Sequence, residues 1–298
     1  MTNSYYNLAT DFYEYGWGLS FHFAPRFRGE TLNESIKRHE HYLALRIGAK
    51  QDDKIVDLGC GVGGPMMEIA RFSGAKILGV NNNAYQIQRG KRHLQRFNLD
   101  RRCDFLKADF RNLEGVQDET FDSAYTIEAE CHVSDKVTLF REVNRVLKPG
   151  ALLGIYDWMM TDKFDAGNAE HVRIKKGIEL GNGIADLPVS AKIVMDALVE
   201  AGFEIVECTD LAQYDNKDPS NVLWWYPLSG GWSLQNLRTS QVGQLVTHGM
   251  LVALEKVKLV PEGSVKMHAI LTEAASALVQ GGQKEIFTTM QFILARKK

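Results

Sequence analysis

The sequence predicts an α/β fold, with mostly parallel strands covered by helices on both faces. Three observations predict it. Across residues 54–209, short apolar runs alternate with segments whose apolar residues recur at helical spacing. The first run ends in a glycine-rich turn, Gly59 to Gly64, where the chain can reverse from strand to helix. Two stretches fall outside the alternation: an aromatic one, Tyr5 to Ile47, and the interval from Thr209 to Ile286, which is too long for a loop in a compact domain.

Taken in order, Lys54 to Leu58 is a short apolar strand and Met66 to Phe72 the helix after the glycine turn. Lys76 to Val80 is the second strand, followed by a helix from Tyr85 to Phe97. Arg102 to Lys107 and Phe121 to Ile127 are the third and fourth strands. Val137, Phe140, Val143 and Leu147 share a helix face, and Pro149-Gly150 stops that helix. Ala151 to Trp158 is the fifth strand. Ala191 to Glu200, ended by Ala201-Gly202, is a helix before the sixth strand, Phe203 to Thr209. In the later stretch, Met267, Ile270, Leu271, Ala274 and Leu278 lie on one helix face, closed by Gly281-Gly282. Ile286 to Ala295 is the last strand. The expected division is an N-terminal aromatic lid segment (1–48), an α/β cofactor-binding domain (49–212), a substrate-binding lid insertion (213–285) and the last strand (286–298). The two lid segments are expected to meet above the carboxyl ends of the strands.

Composition narrows the function classes. A net charge of −2 leaves no basic surplus for nucleic acid, and no basic amphipathic tail offers membrane anchoring. The first residues are polar and aromatic, unlike a signal peptide, and nowhere do about 18 apolar residues run together, so no transmembrane segment is expected. Peripheral membrane contact and assembly into a homo-oligomer both stay open. Cys60, Cys103, Cys131 and Cys208 are scattered, without metal-ligand spacing; no metal site is expected, and a reducing, cytoplasmic setting fits.

The turn Asp57-Leu58-Gly59-Cys60-Gly61-Val62-Gly63-Gly64 lets backbone approach a ligand closely. Gly59, Gly61 and Gly64 match the dinucleotide spacing, and such a turn can also be purely structural. Three features point away from a nicotinamide enzyme. Asp57 sits at the strand end, where a carboxylate suits the cationic amino-acid part of S-adenosyl-L-methionine. The second strand ends in Asn81-Asn82-Asn83, where the dinucleotide fold expects an acid. Asp109-Phe110 follows the third strand and can hydrogen-bond the adenine amine and cover its ring. The expectation is a Rossmann-like sheet of the class I methyltransferase kind, which implies mostly parallel strands with an antiparallel last strand. The asparagine run departs from the commonest methyltransferase pattern, which puts an acid there for the ribose hydroxyls. Amides at Asn81 and Asn82 can bond those hydroxyls, and asparagine also caps helices well. Gln86, one turn further, is either a second polar contact or an exposed helix residue.

More of the chain carries a specific likeness. Tyr13-Glu14-Tyr15-Gly16-Trp17-Gly18, the glycine turn, Ile127-Glu128-Ala129-Glu130-Cys131-His132, and the run from Tyr156 through Ile184 with Glu179-Leu180-Gly181-Asn182-Gly183 resemble the four signature regions of sterol C24-methyltransferases. The tail from Ser240 to Lys298 resembles that family's C-terminal domain, so the resemblance covers nearly the whole chain. It implies that the side-chain double bond of a Δ24 sterol attacks the methyl of S-adenosylmethionine. A carbocation then forms at C25, a hydride shifts from C24, and a base removes a proton. Longer family members carry an N-terminal extension, sometimes hydrophobic, ahead of the aromatic motif. This chain starts only a few residues before Tyr5, which argues against an anchor and leaves peripheral contact with the endoplasmic reticulum, in a eukaryote, as the membrane option.

The chemistry sets its own demands. A neutral alkene needs no base for activation, but the cation needs a dry pocket, electrostatic stabilisation and one base. Tyr13, Tyr15 and Trp17 are grouped to stabilise a cation, although alternating aromatics are most often core. Glu128 and His132 lie just beyond the fourth strand, where sites in such sheets form. Glu128 can bond the cofactor's ammonium or take part in proton removal; His132 can be the base or a capped loop histidine. His39 shares a helix face with Ile36, Leu43 and Ile47, as a core histidine does, with a contact to the sterol hydroxyl as the functional alternative. Asp157 ends the fifth strand with its role open, and Trp224, Trp225, Tyr226 and Trp232 form either lid core or sterol-tail contacts. Competing functions are methylation of another hydrophobic acceptor, a tocopherol or a lipid alkene, and sterol binding without turnover.

Overall fold

The computed structural model describes residues 18–212, 214, 218–229, 241–256 and 263–298. Tyr13, Tyr15, Trp17 and Trp232 therefore lie outside the described residues. Within them the strands are β1 (Arg26–Phe27), β2 (Lys54–Leu58), β3 (Lys76–Asn81), β4 (Cys103–Lys107), β5 (Phe121–Ile127), β6 (Leu147–Met160), β7 (Phe203–Asp210), β8 (Asn221–Val222) and β9 (Phe287–Lys297). The helices are α1 (Leu32–Arg46), α2 (Gly64–Ser73), α3 (Ala84–Arg96), α4 (Lys136–Val146), α5 (Ala169–Asn182), α6 (Ala191–Glu200), α7 (Gln241–Lys256) and α8 (Ser264–Gln283).

Seven strands form one sheet in the order β4–β3–β2–β5–β6–β9–β7. The pairs from β4 through β6 are parallel, and β9 runs antiparallel to both β6 and β7. Side chains alternate between two apolar cores, as expected where both faces are covered. Val56, Leu153 and Ile155 pack with Phe140 and Val143 of α4 and Leu198 of α6. On the other face Ile55, Tyr125, Tyr156 and Phe292 pack with Met66 and Ile69 of α2 and with Leu43 and Ile47. Each such side chain contributes about 1.5–3 kcal/mol on full burial.

Three expectations change in the structure. Residues 32–46, read from sequence as part of a lid, form α1 and cover a sheet face: Leu43 and Ile47 pass so close to Gly154 of β6 that a Cβ there would come within 2.6 Å of Leu43. The amphipathic face that made the segment look like a lid is its sheet-packing face. Leu147 begins β6 by pairing with Phe121 rather than ending the helix before it. Gly281-Gly282 do not close α8, which runs on to Gln283. They let other chains approach instead, since a Cβ on Gly282 would meet the Trp225 ring at 2.2 Å. Helix α5 was not anticipated, because small residues dilute its apolar stripe. A Cβ on Gly181 would sit 2.1 Å from that of Ala274, so α5 and α8 pack backbone to backbone.

The later segment meets the earlier one through the ribbon β1–β8, where Arg26 pairs with Val222. Trp224 is buried, with Phe23 at 5.4 Å and Phe287 at 5.9 Å, both edge-on. It belongs to a third apolar cluster, with Trp158, Met160, Ile178 and Leu278.

Candidate active site

Because the chain winds outward from β2 to β3 and β4 on one side and from β5 to β6 on the other, the connections leaving the carboxyl ends of the paired strands β2 and β5 diverge and leave a crevice. A cleft lies there. Asp57, Gly59, Gly61, Asn81, Asn82 and Gln86 line one wall, and Phe110, Glu128, Ala129 and His132 the other; Gly18, Leu19, Phe21 and His22 cross its mouth.

The first wall is made by backbone. Gly59 has φ +85° and Gly61 φ +56°, conformations that disfavour a side chain. A Cβ on Gly59 would lie 2.3 Å from that of Ala129, so the ends of β2 and β5 touch here, whereas a side chain on Gly61 would enter open space. The three asparagines divide their work. Asn81 Nδ2 donates to the Gly61 carbonyl and to Gln86 Oε1, both at 2.9 Å, bracing the turn against α3. Asn83 caps α3 by accepting from the Gln86 N–H. Asn82 is exposed on the cleft. Asp57 is buried and accepts from the Tyr125 hydroxyl at 2.9 Å. Burial pushes its carboxyl up to about 7, against the Tyr125 hydrogen bond, with the nearby Glu40 adding to the rise and His22 opposing it.

The second wall carries ionisable groups. Glu128 has φ +51°, rare for a non-glycine residue, and its backbone N–H donates to the Tyr156 carbonyl at 2.8 Å. Oε1 accepts from the Phe23 N–H at 2.7 Å. Desolvation pushes this carboxyl up to about 8, although His22 and the Phe23 N–H pull the other way. His132 Nδ1 donates to the Gly183 carbonyl at 3.3 Å, which makes Nε2 the basic nitrogen of the neutral ring, and burial lowers its pKa. Asp157 is wholly buried behind this turn; it accepts the Cys131 and Trp158 N–H groups, both at 2.7 Å. Glu130 pairs with Lys136, and burial with the adjacent Asp157 raises its carboxyl to about 8.

Asp109 does not line the cleft. Its carboxylate is held by Arg111, with Nη2 to Oδ2 at 2.6 Å, and its neighbour Phe110 reaches the cleft instead. His39 is a core residue, stacked on Tyr156 at 3.8 Å with its pKa driven well down by burial. Sequence reasoning missed His22, which lines the cleft, and Glu40 behind it. The signals were a histidine beside the aromatic motif and a glutamate on the apolar face of α1. Among the described residues no cluster of His, Cys, Asp and Glu is arranged to hold a metal ion, and no helix is long and apolar enough to cross a membrane.

This cleft, at the switch point of a seven-stranded sheet with an antiparallel last strand, defines a class I methyltransferase fold. The same architecture occurs in the cyclopropane synthase MmaA2 from Mycobacterium tuberculosis, with a TM-score of 0.77 over 99% of this chain and 96% of that one at 15% identity. It recurs in the mycolic acid cyclopropane synthase CmaA1, solved with SAH and CTAB, with a TM-score of 0.76 over 99% and 97% at 16% identity. The family description "Methyltransferase domain" matches residues 56–155, and "Sterol methyltransferase C-terminal" matches residues 234–298. Cycloartenol-C-24-methyltransferase of Arabidopsis thaliana is 49% identical over 298 residues, all of this chain and 87% of the relative. The sterol 24-C-methyltransferase of Saccharomyces cerevisiae is 45% identical over 304 aligned positions, 99% of this chain and 78% of the relative. The chain belongs to the sterol 24-C-methyltransferase family.

Proposed function

We propose that this protein transfers the methyl of S-adenosyl-L-methionine to C24 of a Δ24 sterol. The observation that carries the reading is 49% identity to a cycloartenol-C-24-methyltransferase over every residue of this chain, cleft included. The walls fit the cofactor. The open space beside Gly61 leaves room for a ligand, and Asp57 and Glu128 are desolvated carboxyls whose charged forms gain most from a nearby cation. The cofactor supplies an electrophilic methyl on a sulfonium, and the alkene is the nucleophile. Asn82 and Gln86 are assigned to the ribose hydroxyls, with Asn81 bracing the turn, and Phe110 to the adenine face. Asp109, held by Arg111 outside the cleft, would reach the adenine amine only by releasing that partner. Glu128 takes the ammonium.

The new bond to C24 leaves positive charge at C25; a hydride then moves from C24 to C25, and loss of a proton restores an alkene. His132, neutral and with Nε2 basic, is assigned as the proton acceptor. Tyr13, Tyr15 and Trp17 are assigned by sequence to the cation, worth about 0.5–2 kcal/mol per ring. Replacing one ring should slow turnover about two- to thirty-fold while sterol affinity changes little, since the charge exists only beyond the ground state. Residues 213–285 are assigned to the sterol.

Release of S-adenosylhomocysteine tests the reading with a Δ24 sterol, a tocopherol precursor, an unsaturated fatty acyl lipid, or no acceptor. Release that depends on the Δ24 sterol is expected. Preference for either other acceptor would move the assignment to another lipid methyltransferase. Cofactor binding with no release under any condition would leave a binding protein.

A further inference from the structure

Residues 18–24 have no regular secondary structure, and Gly18, Leu19, Phe21 and His22 among them line the cleft. A relay of three contacts ties them to α1 on one side and the β5 end on the other. Glu40 Oε1 stands 3.1 Å from His22 Nε2. His22 Nδ1 lies 2.8 Å from the Phe23 carbonyl. The N–H of the same residue, Phe23, donates to Glu128 Oε1 at 2.7 Å.

The acceptors fix the protons. A carbonyl oxygen only accepts, so Nδ1 carries hydrogen. Nε2 faces a buried carboxylate, and a hydrogen there compensates its charge. The groups facing the imidazole point the same way: Glu40 from α1, Glu128 from the β5 end and Asp57 from the β2 end are acids. His39 of α1, 5.9 Å away ring to ring, is held neutral by burial. Burial would pull His22 down, but the Glu40 hydrogen bond and charge, followed by the charge of Glu128, outweigh it and leave its pKa raised. Glu40 Oε2 has no hydrogen-bond partner among the described residues, so its charge rests heavily on His22.

We infer that His22 is a positioning residue of the cleft: held by Glu40 as an imidazolium, it aligns the Phe23 peptide whose N–H fixes Glu128, and its charge eases the ionisation of Glu128 toward a cationic ligand. This rests on the methyltransferase reading, in which that ligand is the ammonium of the cofactor. A merely structural His22 would, on removal, weaken ligand binding equally at every pH. The relay predicts otherwise. Binding at Glu128 strengthens as pH rises and the carboxyl ionises. Without the His22 charge, ionisation is harder and the whole curve moves to higher pH.

Nitrogen-15 NMR of labelled histidines in the ligand-free full chain reads the charge directly, with His22→Gln assigning the signal. Both His22 nitrogens should be protonated at pH 7.5, and Glu40→Gln should abolish that signature. Calorimetry of S-adenosylhomocysteine across pH 6.5–9.5 reads the consequence. The binding midpoint should rise by about one pH unit in His22→Gln, the affinities should converge at high pH, and Glu40→Asp should stay near the parent curve. A neutral His22 at pH 7.5, or a loss uniform across pH, overturns the inference. If His22→Gln does not fold, Glu40→Gln identifies the signal by its loss, and a binding curve of Glu40→Gln that is not displaced to higher pH overturns the inference. If the parent chain binds no S-adenosylhomocysteine at any pH, the cofactor reading falls, while the NMR result still decides the charge of His22.

Discussion

The two walls of the cleft face one ligand with different materials. Between β2 and β3 the contacts are backbone and amide: Gly59 and Gly61 in left-handed conformations, Asn81 spanning from Gly61 to Gln86, and Asn82 presented to the cleft. Between β5 and β6 they are ionisable groups out of water: Glu128 on a strained backbone, His132 on the Gly183 carbonyl, and Glu130, Lys136 and Asp157 behind them. Asp57 apart, the first wall is a shape and the second a charge distribution. Substitutions among the glycines and amides of the first should act through fit, with little dependence on pH. Those on the second should act through protonation.

The largest effect expected is at Gly61. Valine there adds a branched side chain at φ +56°, in space left for the ligand. S-adenosylhomocysteine affinity should fall by about a hundredfold or more at every pH, with the circular dichroism spectrum retained. Parent-like binding in that variant would remove the glycine turn from the site.

Next comes Glu128→Gln. A lost charge-assisted contact corresponds to about ten- to a hundredfold in the dissociation constant. The parent carboxyl, raised to about 8, is largely protonated at pH 7, so parent binding should strengthen as pH rises through 8. The glutamine variant should lack that limb. Identical pH profiles would deny Glu128 the ammonium.

Asp57→Asn should divide function from stability. The folded pKa, about 7, lies above the unfolded value of about 3.9. The proton-linked stability is therefore full below pH 4 and is lost as pH rises through 7. The ligand-free asparagine variant should gain on the parent between pH 4 and 7 and keep that advantage above, read as a Tm difference larger at pH 8 than at pH 5. Its ligand affinity should fall. A Tm difference that shrinks with pH would contradict the buried, protonatable carboxyl.

The smallest effect separates neighbours. Phe110 lines the cleft while Asp109 is held by Arg111. Asp109→Asn should change ligand affinity less than about threefold, and Phe110→Ala more than that. The reverse order would mean that Asp109 leaves Arg111 when ligand binds.

The sheet was legible because strands buried on two faces read as short apolar runs, and because a tight turn needs glycine at positions such as Gly59. The placement of Asp57, Asn82, Glu128 and His132 around one cleft follows from that reading, since all sit at or just beyond the carboxyl ends of strands. What stayed hidden depends on how loops fold and on contacts distant in sequence. Asp109 and Arg111 are only two residues apart, but their proximity in sequence does not say whether the arginine folds back onto the carboxylate or leaves it to the cleft. His22 and Glu40 are 18 residues apart and meet because α1 lies on the sheet. An amphipathic helix presents the same stripe to a sheet as to a lid, so α1 was assigned to the wrong partner. Glycines that permit close packing, such as Gly181 and Gly282, look in sequence like glycines that end helices.

The central claim is the position of the new methyl group. The full chain, given deuterated-methyl S-adenosylmethionine and either a Δ24 sterol or its side-chain-saturated counterpart, allows a direct answer by mass spectrometry and NMR of the product. The account predicts label on C24 of the side chain, formed only from the Δ24 sterol and in step with released S-adenosylhomocysteine. Label on the sterol hydroxyl or ring, or equal product from the saturated sterol, would contradict it.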